Sequence, residues 1–200
     1  MKHLKEMRLA DDKIINKKPD LRVLSLGAGV QSSTLLMKIY NGEIAPVDVA
    51  IFADTGNEPQ EVYDWFEFLK DKVKDKIKIE SVKNNRNTGN IAEDILSPVG
   101  FFASIPVYTT NKETGKAGIT LRTCTDRYKI RPIGEKIREL LDVSNLRGRV
   151  VEIVMGISFD EIQRAKYPPN KWQINCYPLV ENKITRHDCL HYFESLNFPT

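Results

Sequence analysis

The residues with the clearest chemical potential in this 200-residue chain lie in Leu26, Gly27, Ala28, Gly29, Val30, Gln31, Ser32 and Ser33. The apolar residues Leu21, Val23, Leu24 and Leu26 lead into small residues. The polar Gln31, Ser32, Ser33 and Thr34 then give way to Leu35, Leu36 and Ile39. That order reads as a buried strand, a tight turn and a helix N-terminus. The first N–H groups of a helix have no intrahelical acceptor, and with no bulky side chains before them they can hold a phosphate or sulfate. An ordinary strand-to-helix turn explains the same residues equally well. Asp54-Thr55-Gly56 and Gly156-Ile157-Ser158 also close apolar runs. An aspartate there could accept from a ribose hydroxyl or hold Mg²⁺, while Asp-x-Gly by itself is also a common turn. Arg122, Arg127, Lys129, Arg131 and Arg164 suit a polyanion, because guanidinium groups grip phosphate or sulfate through paired donors; a solvated basic face is the alternative. Cys124, flanked by threonines and near Arg122 and Arg127, is a candidate thiolate nucleophile, or else an incidental thiol. Cys176 and Cys189 form no CxxC pair, and His187 and His191, spaced i, i+4, read as surface residues without a third ligand.

These residues need elements to position them. Leu21 onward predicts strand one, followed by a helix ending near Asn41-Gly42. Val47 to Ala53 is a second strand, fully apolar after Asp48 as a central parallel strand requires. A helix follows from about Glu58, with Val62, Trp65, Phe66 and Leu69 on its core face. Lys76 to Val82 alternates like a strand nearer the sheet edge. Residues 83–120 read as a polar loop, a short helix over Ile91–Leu96, and a long irregular excursion that could serve as a lid. Pro132 is expected to open a helix to about Leu141, and Val150 to Met155 is another strand. Trp172 to Leu179 would add an edge strand, and Thr185 would cap a last helix with Asp188 closing a capping box. Strands alternating with helices predict a parallel sheet, and ligands of such sheets bind beyond the carboxyl ends of the strands. The Gly27–Ser33, Asp54 and Gly156 clusters are all placed there.

Composition sets the outer bounds. A hydrophobic share of 41%, a charged share of 28% and a net charge of +3 describe an ordinary globular chain and make no case for nucleic acid alone. No run is long enough for a membrane span, the N-terminus lacks a signal-peptide core, and the three cysteines are too few for a disulfide framework. The expectation is a cytoplasmic protein without membrane contact, with an arm over residues 1–20 and one domain over 21–200.

In this order the residues resemble the phosphoadenosine phosphosulfate (PAPS) reductase family of the adenine nucleotide alpha hydrolase, or PP-loop, superfamily, and look like its short phage-type members. Ala28 to Ser33 stands where the family has SGGxDS, and Asp54-Thr55-Gly56-Asn57-Glu58 matches its DTG motif with the acidic helix start. Cys124, Lys129 and Pro132 match C-x4-K-x2-P. Gly156, Ser158, Glu161 and Arg164 match G-x-R/S-x-x-E-x-x-R. Tyr177-Pro178-Leu179 with Thr185-Arg186 is similar to PL-x-x-W-T.

The resemblance implies a doubly wound α/β fold with a mainly parallel five-stranded sheet and helices on both faces. It implies an enzyme that binds an adenine nucleotide (PAPS, APS or ATP, the last with Mg²⁺) through residues 26–33, Asp54, Thr55, Gly56, Gly156 and Ser158. Arg122, Arg127 and Arg164 would face the anion, with Cys124 and Lys129 as catalytic candidates. Implied partners are the nucleotide, a thiol reductant or sulfur-donor protein, and, on the alternative readings, nucleic acid. Sulfonucleotide reduction leads. ATP pyrophosphatase chemistry that adenylates a substrate for thiolation is the second reading, and a non-catalytic nucleotide- or nucleic-acid-binding module the third.

Three departures qualify the resemblance. Ser32 replaces the loop aspartate and Val30 a glycine. Cys124-Thr125 replaces the cysteine pair of cluster-binding members, which leaves one matching ligand for an iron–sulfur cluster. Asn197 to Thr200 carries neither an ECGLH-like tail nor a CxxC. The expectation is therefore either a fragment lacking its cysteine tail or a chain that cannot complete the reduction alone, with Cys124 the stand-in thiolate.

Overall fold

The computed structural model describes residues 17–86, 88–97, 108–110, 113–119, 123–196 and 198. Arg122 and most of the arm expected over residues 1–20 lie outside these. The described chain divides into two compact units. The first comprises residues up to Phe52 together with Gln60–Glu80 and Arg138 onward; the second comprises Ala53–Pro59 and Ser81–Ile137.

The five-stranded parallel sheet has the order β3-β2-β1-β6-β7, and most of it belongs to the first unit. Its strands are β1 (Leu21–Leu26), β2 (Val49–Asp54), β3 (Ile79–Lys83), β6 (Val151–Met155) and β7 (Gln173–Cys176). β1 runs between β2 and β6, with Val23 opposite Val49 and Leu21 opposite Val151. Every residue of β2 is buried, which is why its sequence is apolar without alternation from Val49 to Ala53, with Asp54 closing it. The helices are α1 (Val30–Tyr40), α2 (Gln60–Val73), α3 (Ile91–Leu96), α4 (Arg131–Leu140), α5 (Pro178–Glu181) and α6 (Arg186–Ser195). Leu35, Leu36 and Ile39 of α1, Phe66, Leu69 and Val73 of α2, and Cys189 and Phe193 of α6 join Leu24, Phe52 and Val154 in one core. Phe52 and Phe66 stack at 4.3 Å between ring centroids.

Three local expectations are corrected. β3 starts at Ile79, not Lys76, because the N–H groups of Lys76 and Ile77 both bond the Val73 carbonyl and extend the end of α2. The excursion within 83–120 contains a two-stranded antiparallel sheet, β4 (Tyr108–Thr110) against β5 (Ala117–Ile119). Pro132 does not open its helix: a helical turn (Thr123–Thr125) and a π-helical segment (Asp126–Ile130) precede α4. Proline has no N–H and its ring displaces the carbonyl four residues back. The wider turn meets that demand, and the Arg131 N–H reaches back five residues to the Asp126 carbonyl.

The last helix starts as its sequence specifies. The Thr185 hydroxyl accepts from the Asp188 N–H at 3.2 Å, and the Asp188 carboxylate accepts from the Thr185 N–H at 2.8 Å. The Thr185 hydroxyl and N–H, in that order, hold the Asp188 carboxyl below its ordinary value of 3.8. A depressed carboxyl stabilises the fold above its unfolded value and loses that contribution as pH falls through the folded one. Thr185→Ala is expected to lower unfolding free energy by about 1 kcal/mol, measured by urea denaturation at pH 7. The difference between variant and wild type should narrow in part below pH 3.8, as protonation weakens the Thr185 hydroxyl's bond to the Asp188 carboxylate while its bond from the Asp188 N–H remains.

Candidate functional site

The turn between β1 and α1 is the centre of the first unit's site. Its shape comes from one hydroxyl. Ser32 Oγ accepts the Gly27 N–H at 3.2 Å and donates to the Gly29 carbonyl at 3.1 Å, closing the loop upon itself. Ser32 thus has a structural task at the position where the resemblance led to an aspartate. Ala28 takes a left-handed φ of 52° and is nevertheless buried. Gly29 caps α1 in an extended conformation, with no side-chain cap and no acidic residue in the first turn. The positive end of α1 is therefore not neutralised from within its own first turn. A Cβ on Gly29 would meet nothing within 4 Å, so the approach to these donors is open.

The rest of that first turn is held firmly. Gln31, Ser32, Ser33 and Thr34 are all buried. Ser33 Oγ accepts from Trp65 Nε1 at 2.9 Å, and Thr34 donates to the Val30 carbonyl at 2.9 Å. Gly156, at the end of β6, lies against the same turn: a Cβ there would come 2.7 Å from the Ser32 nitrogen and 2.8 Å from its Cα. Of the strand-end clusters read from the sequence, those at Leu26–Ser33 and at Gly156 therefore meet within this unit. Ser158, fully buried, leads into the 3₁₀ turn Phe159–Arg164, and its hydroxyl makes no capping hydrogen bond.

A chain of polar contacts crosses this region. Gln31 donates to Glu161 at 3.3 Å and accepts from Arg186 Nη1 at 3.2 Å. Arg164 Nη1 bonds the same Glu161 oxygen at 2.5 Å. The Arg186 N–H bonds Asp160 at 2.9 Å and keeps that carboxyl below its ordinary range. Two guanidinium groups are thus tied, through Gln31 and Glu161, to the first turn of α1. A cavity of about 700 Å³ opens beside it, lined by Gly29, Gln31, Trp65, Phe68, Arg186 and Phe193 among others. That is within the usual range for small-molecule sites, and its mix of aromatic wall and a few polar groups is typical of them.

Sequence reading did not single out Trp65 or Arg186 as site residues. Arg186 stood in the segment similar to PL-x-x-W-T and carried a second signal. It is a cation in the first turn of α6, where the helix dipole disfavours positive charge, so a reason other than helix stability was needed for it.

The Asp54 turn belongs to the second unit. Asp54 accepts the Gly56 N–H at 2.7 Å and pairs with Lys83 at 2.9 Å, so both its oxygens are engaged in building the turn. Thr55 donates to Glu58 at 2.9 Å, and the Thr55 carbonyl receives the Ile91 N–H. Lys129 lies 4.0 Å from Glu58. Arg127 is in this unit and Arg164 in the first, so the cations read together are distributed over both units. Asp94, buried, accepts from Tyr128 and from Thr88.

Cys124 is half-buried in the helical turn of the second unit. Cys176 and Cys189 are buried in the first. Cys176 bonds Glu152, and burial pushes the Cys189 thiol up, so neither is poised as a thiolate or as an open ligand. His187 and His191 stack edge to face on the exposed side of α6, and His191 bonds Glu194 at 2.7 Å. Among the described residues no three His, Cys, Asp or Glu side chains converge on a point. The cysteines present therefore do not fit an iron–sulfur cluster. No helix among the described residues is long and apolar enough to cross a membrane.

No family model matches the chain, and no curated protein matches it in sequence. Solved structures do match its fold. One is the PAPS reductase of Candida auris in a phosphate complex, with a TM-score of 0.54 and 15% identity over 100% of this chain and 88% of that one. Another is the U34-tRNA thiolase NcsA of Methanococcus maripaludis with its [4Fe-4S] cluster, with a TM-score of 0.52 and 15% identity. That match spans 98% of this chain but only 62% of the thiolase. At these identities the likeness is one of fold, and the fold is that of PAPS reductase and the PP-loop thiolase.

Proposed function

We propose that the chain is an adenine-nucleotide-using enzyme of the PAPS reductase kind, with sulfonucleotide reduction or a related sulfur transfer as its reaction. The observation that carries this reading is the β1–α1 turn: an α1 N-terminus without an internal acidic cap, open at Gly29, beside a cavity of nucleotide size. The loop N–H groups and the Arg186 guanidinium would hold the ligand's phosphate or sulfate, Trp65 and Phe68 would supply apolar wall, and Gly156 would keep the loop in register. In sulfonucleotide reduction a thiolate attacks the sulfate sulfur, the sulfur–oxygen bond to the phosphate breaks, and the nucleotide leaves with its 5′-phosphate, as AMP from APS or as adenosine 3′,5′-bisphosphate from PAPS. The protein-bound thiosulfonate is then cleaved by a second thiol, which takes the cysteine sulfur into a disulfide and frees sulfite. Cys124, the half-buried cysteine, is assigned the first thiol, and an external dithiol the second.

A second reading is adenylation of a substrate for thiolation, with pyrophosphate leaving from ATP and Mg²⁺. The fold shared with a PP-loop thiolase favours it.

Calorimetric titration with ATP, APS and PAPS, wild type beside Gly29→Trp, tests the shared premise. A Cβ at Gly29 meets nothing within 4 Å, so with thermal melts confirming that the variant is folded, binding by wild type and loss of at least tenfold in the variant are expected. Failure of all three ligands, or equal binding by both proteins, overturns the proposal. Sulfite release from PAPS or APS with a dithiol then selects the first reaction, and pyrophosphate release from ATP the second.

A further inference from the structure

The second unit contains a small pocket of its own, whose lining includes Arg127, the cation that the resemblance turned toward the nucleotide's anion. It has a volume of about 120 Å³ and is lined by Asn84, Arg86, Arg127, Arg131, Pro132 and Glu135. Three of its six lining residues are arginines. They come from two separate segments, the loop after β3 and the helical stretch across the π segment into α4. Arg86 Nη2 bonds Glu135 at 3.1 Å and ties the two segments together. Arg131 Nε bonds Asp126 at 2.6 Å. Each of these bonds engages one nitrogen of a guanidinium that carries five N–H donors, so the carboxylates fix the arginines in place without exhausting them.

The backbone supports the same convergence. At about 4.4 residues per turn, a π-helical segment brings residues four and five apart nearly into line, so Arg127 and Arg131 share one face and Asp126 sits beneath Arg131. The side-chain oxygen of buried Asn84 accepts the Arg86 N–H at 3.1 Å, which leaves its amide NH₂ as a further donor at the pocket. Pro132 is buried and gives one wall that offers no hydrogen-bond donor. Among the six residues that line the pocket, three carry a guanidinium group and one, Glu135, a carboxylate. The pocket is far smaller than the few hundred Å³ a nucleoside needs, but it accommodates a five-atom ion with a water or two.

We propose that this pocket binds a tetrahedral oxyanion: phosphate or sulfate, either as the free ion or as the terminal group of a small monoester. The paired donors of the arginine forks match its oxygens. The proposal is independent of the β1–α1 loop, because every residue in it belongs to the second unit.

The test is calorimetric titration of the full chain with inorganic phosphate and with glycerol phosphate, at ionic strength held constant with sodium chloride. Arg127→Gln and Arg131→Gln are compared with wild type and with Gly29→Trp, with thermal melts confirming that each variant is folded. Binding by wild type, at least a tenfold loss in both arginine variants and retention in Gly29→Trp are expected. Tighter binding of glycerol phosphate identifies a monoester terminus, and equal or tighter binding of inorganic phosphate identifies the free ion. Either result supports the pocket. Absence of binding above the chloride background, unchanged affinity in folded Arg127→Gln and Arg131→Gln, or loss confined to Gly29→Trp overturns it.

Discussion

Gly156→Ala is expected to weaken nucleotide binding by roughly tenfold to a hundredfold and to destabilise the protein by about 1–3 kcal/mol. The reason is contact, not backbone freedom. The added methyl would lie 2.7 Å from the Ser32 nitrogen and 2.8 Å from its Cα, and neither backbone atom can swing aside as a side chain would. The start of α1 must move away from the end of β6. Ser32 is also the residue whose hydroxyl closes the loop between Gly27 and Gly29, so a shift there misplaces the donors of the first turn together. Gly27→Ala is the matched control, since its methyl would meet only Ser32 Oγ at 3.9 Å, an ordinary contact. Titration with the tightest-binding nucleotide, alongside urea denaturation, should separate the two variants clearly. Equal affinity for Gly156→Ala and wild type would show that loop register does not govern the site.

Gly56→Ala should be the most damaging single methyl in the second unit. Gly56 has φ of +74°, and its Cβ would fall 2.5 Å from the Gly89 carbonyl oxygen and 2.9 Å from the Asn90 Cα. A left-handed alanine costs about 1–2 kcal/mol, and overpacking against backbone adds about 1–3 kcal/mol. The same segments are joined by Asn90 Nδ2 donating to the Gly56 carbonyl at 3.0 Å and by the Ile91 N–H on Thr55. The methyl would part those bonds as well. Gly148→Ala isolates the conformational part: it has φ of +79° and nothing within 4 Å, so it should lose only the first of the two contributions. Urea midpoints for the pair measure the difference. A Gly56→Ala protein no less stable than Gly148→Ala would contradict the close packing of these turns.

The sequence disclosed the elements whose burial is uniform or whose ends carry local chemistry. β2 was legible because a strand buried on both faces is apolar through Ala53, β1 and β6 because their apolar runs are broken only by Arg22 and Ser25 and by Glu152, and the start of α6 because Thr185 and Asp188 satisfy each other's backbone three residues apart. The β4–β5 pair was not, because Ala117-Gly118-Ile119 is too short to show a period. The helix around Pro132 was misread because proline normally signals a first turn, whereas here a π segment absorbs it. The candidate loop could be located from Gly27 to Ser33, but its neighbours could not. Gln31 meets Glu161 across 130 positions and Arg186 across 155, and Trp65 meets Ser33 across 32. Such pairings arise only when the sheet brings the segments together. The dual engagement of Asp54 shows the converse: a residue prominent in the sequence is occupied in forming its own turn.

The Ser32 staple and the Trp65–Ser33 bond have a thermodynamic consequence. Because the turn is closed by its own hydroxyl and braced by an indole, its conformational entropy is given up when the chain folds and not when a ligand arrives. On the proposed nucleotide reading, an anion at Gly29 would meet donors already in place, and its association would resemble entry into a rigid receptor more than the ordering of a flexible phosphate loop. The Ser33 amide, bonded to the Gly29 carbonyl at 3.0 Å, is expected on this basis to exchange slowly even without nucleotide.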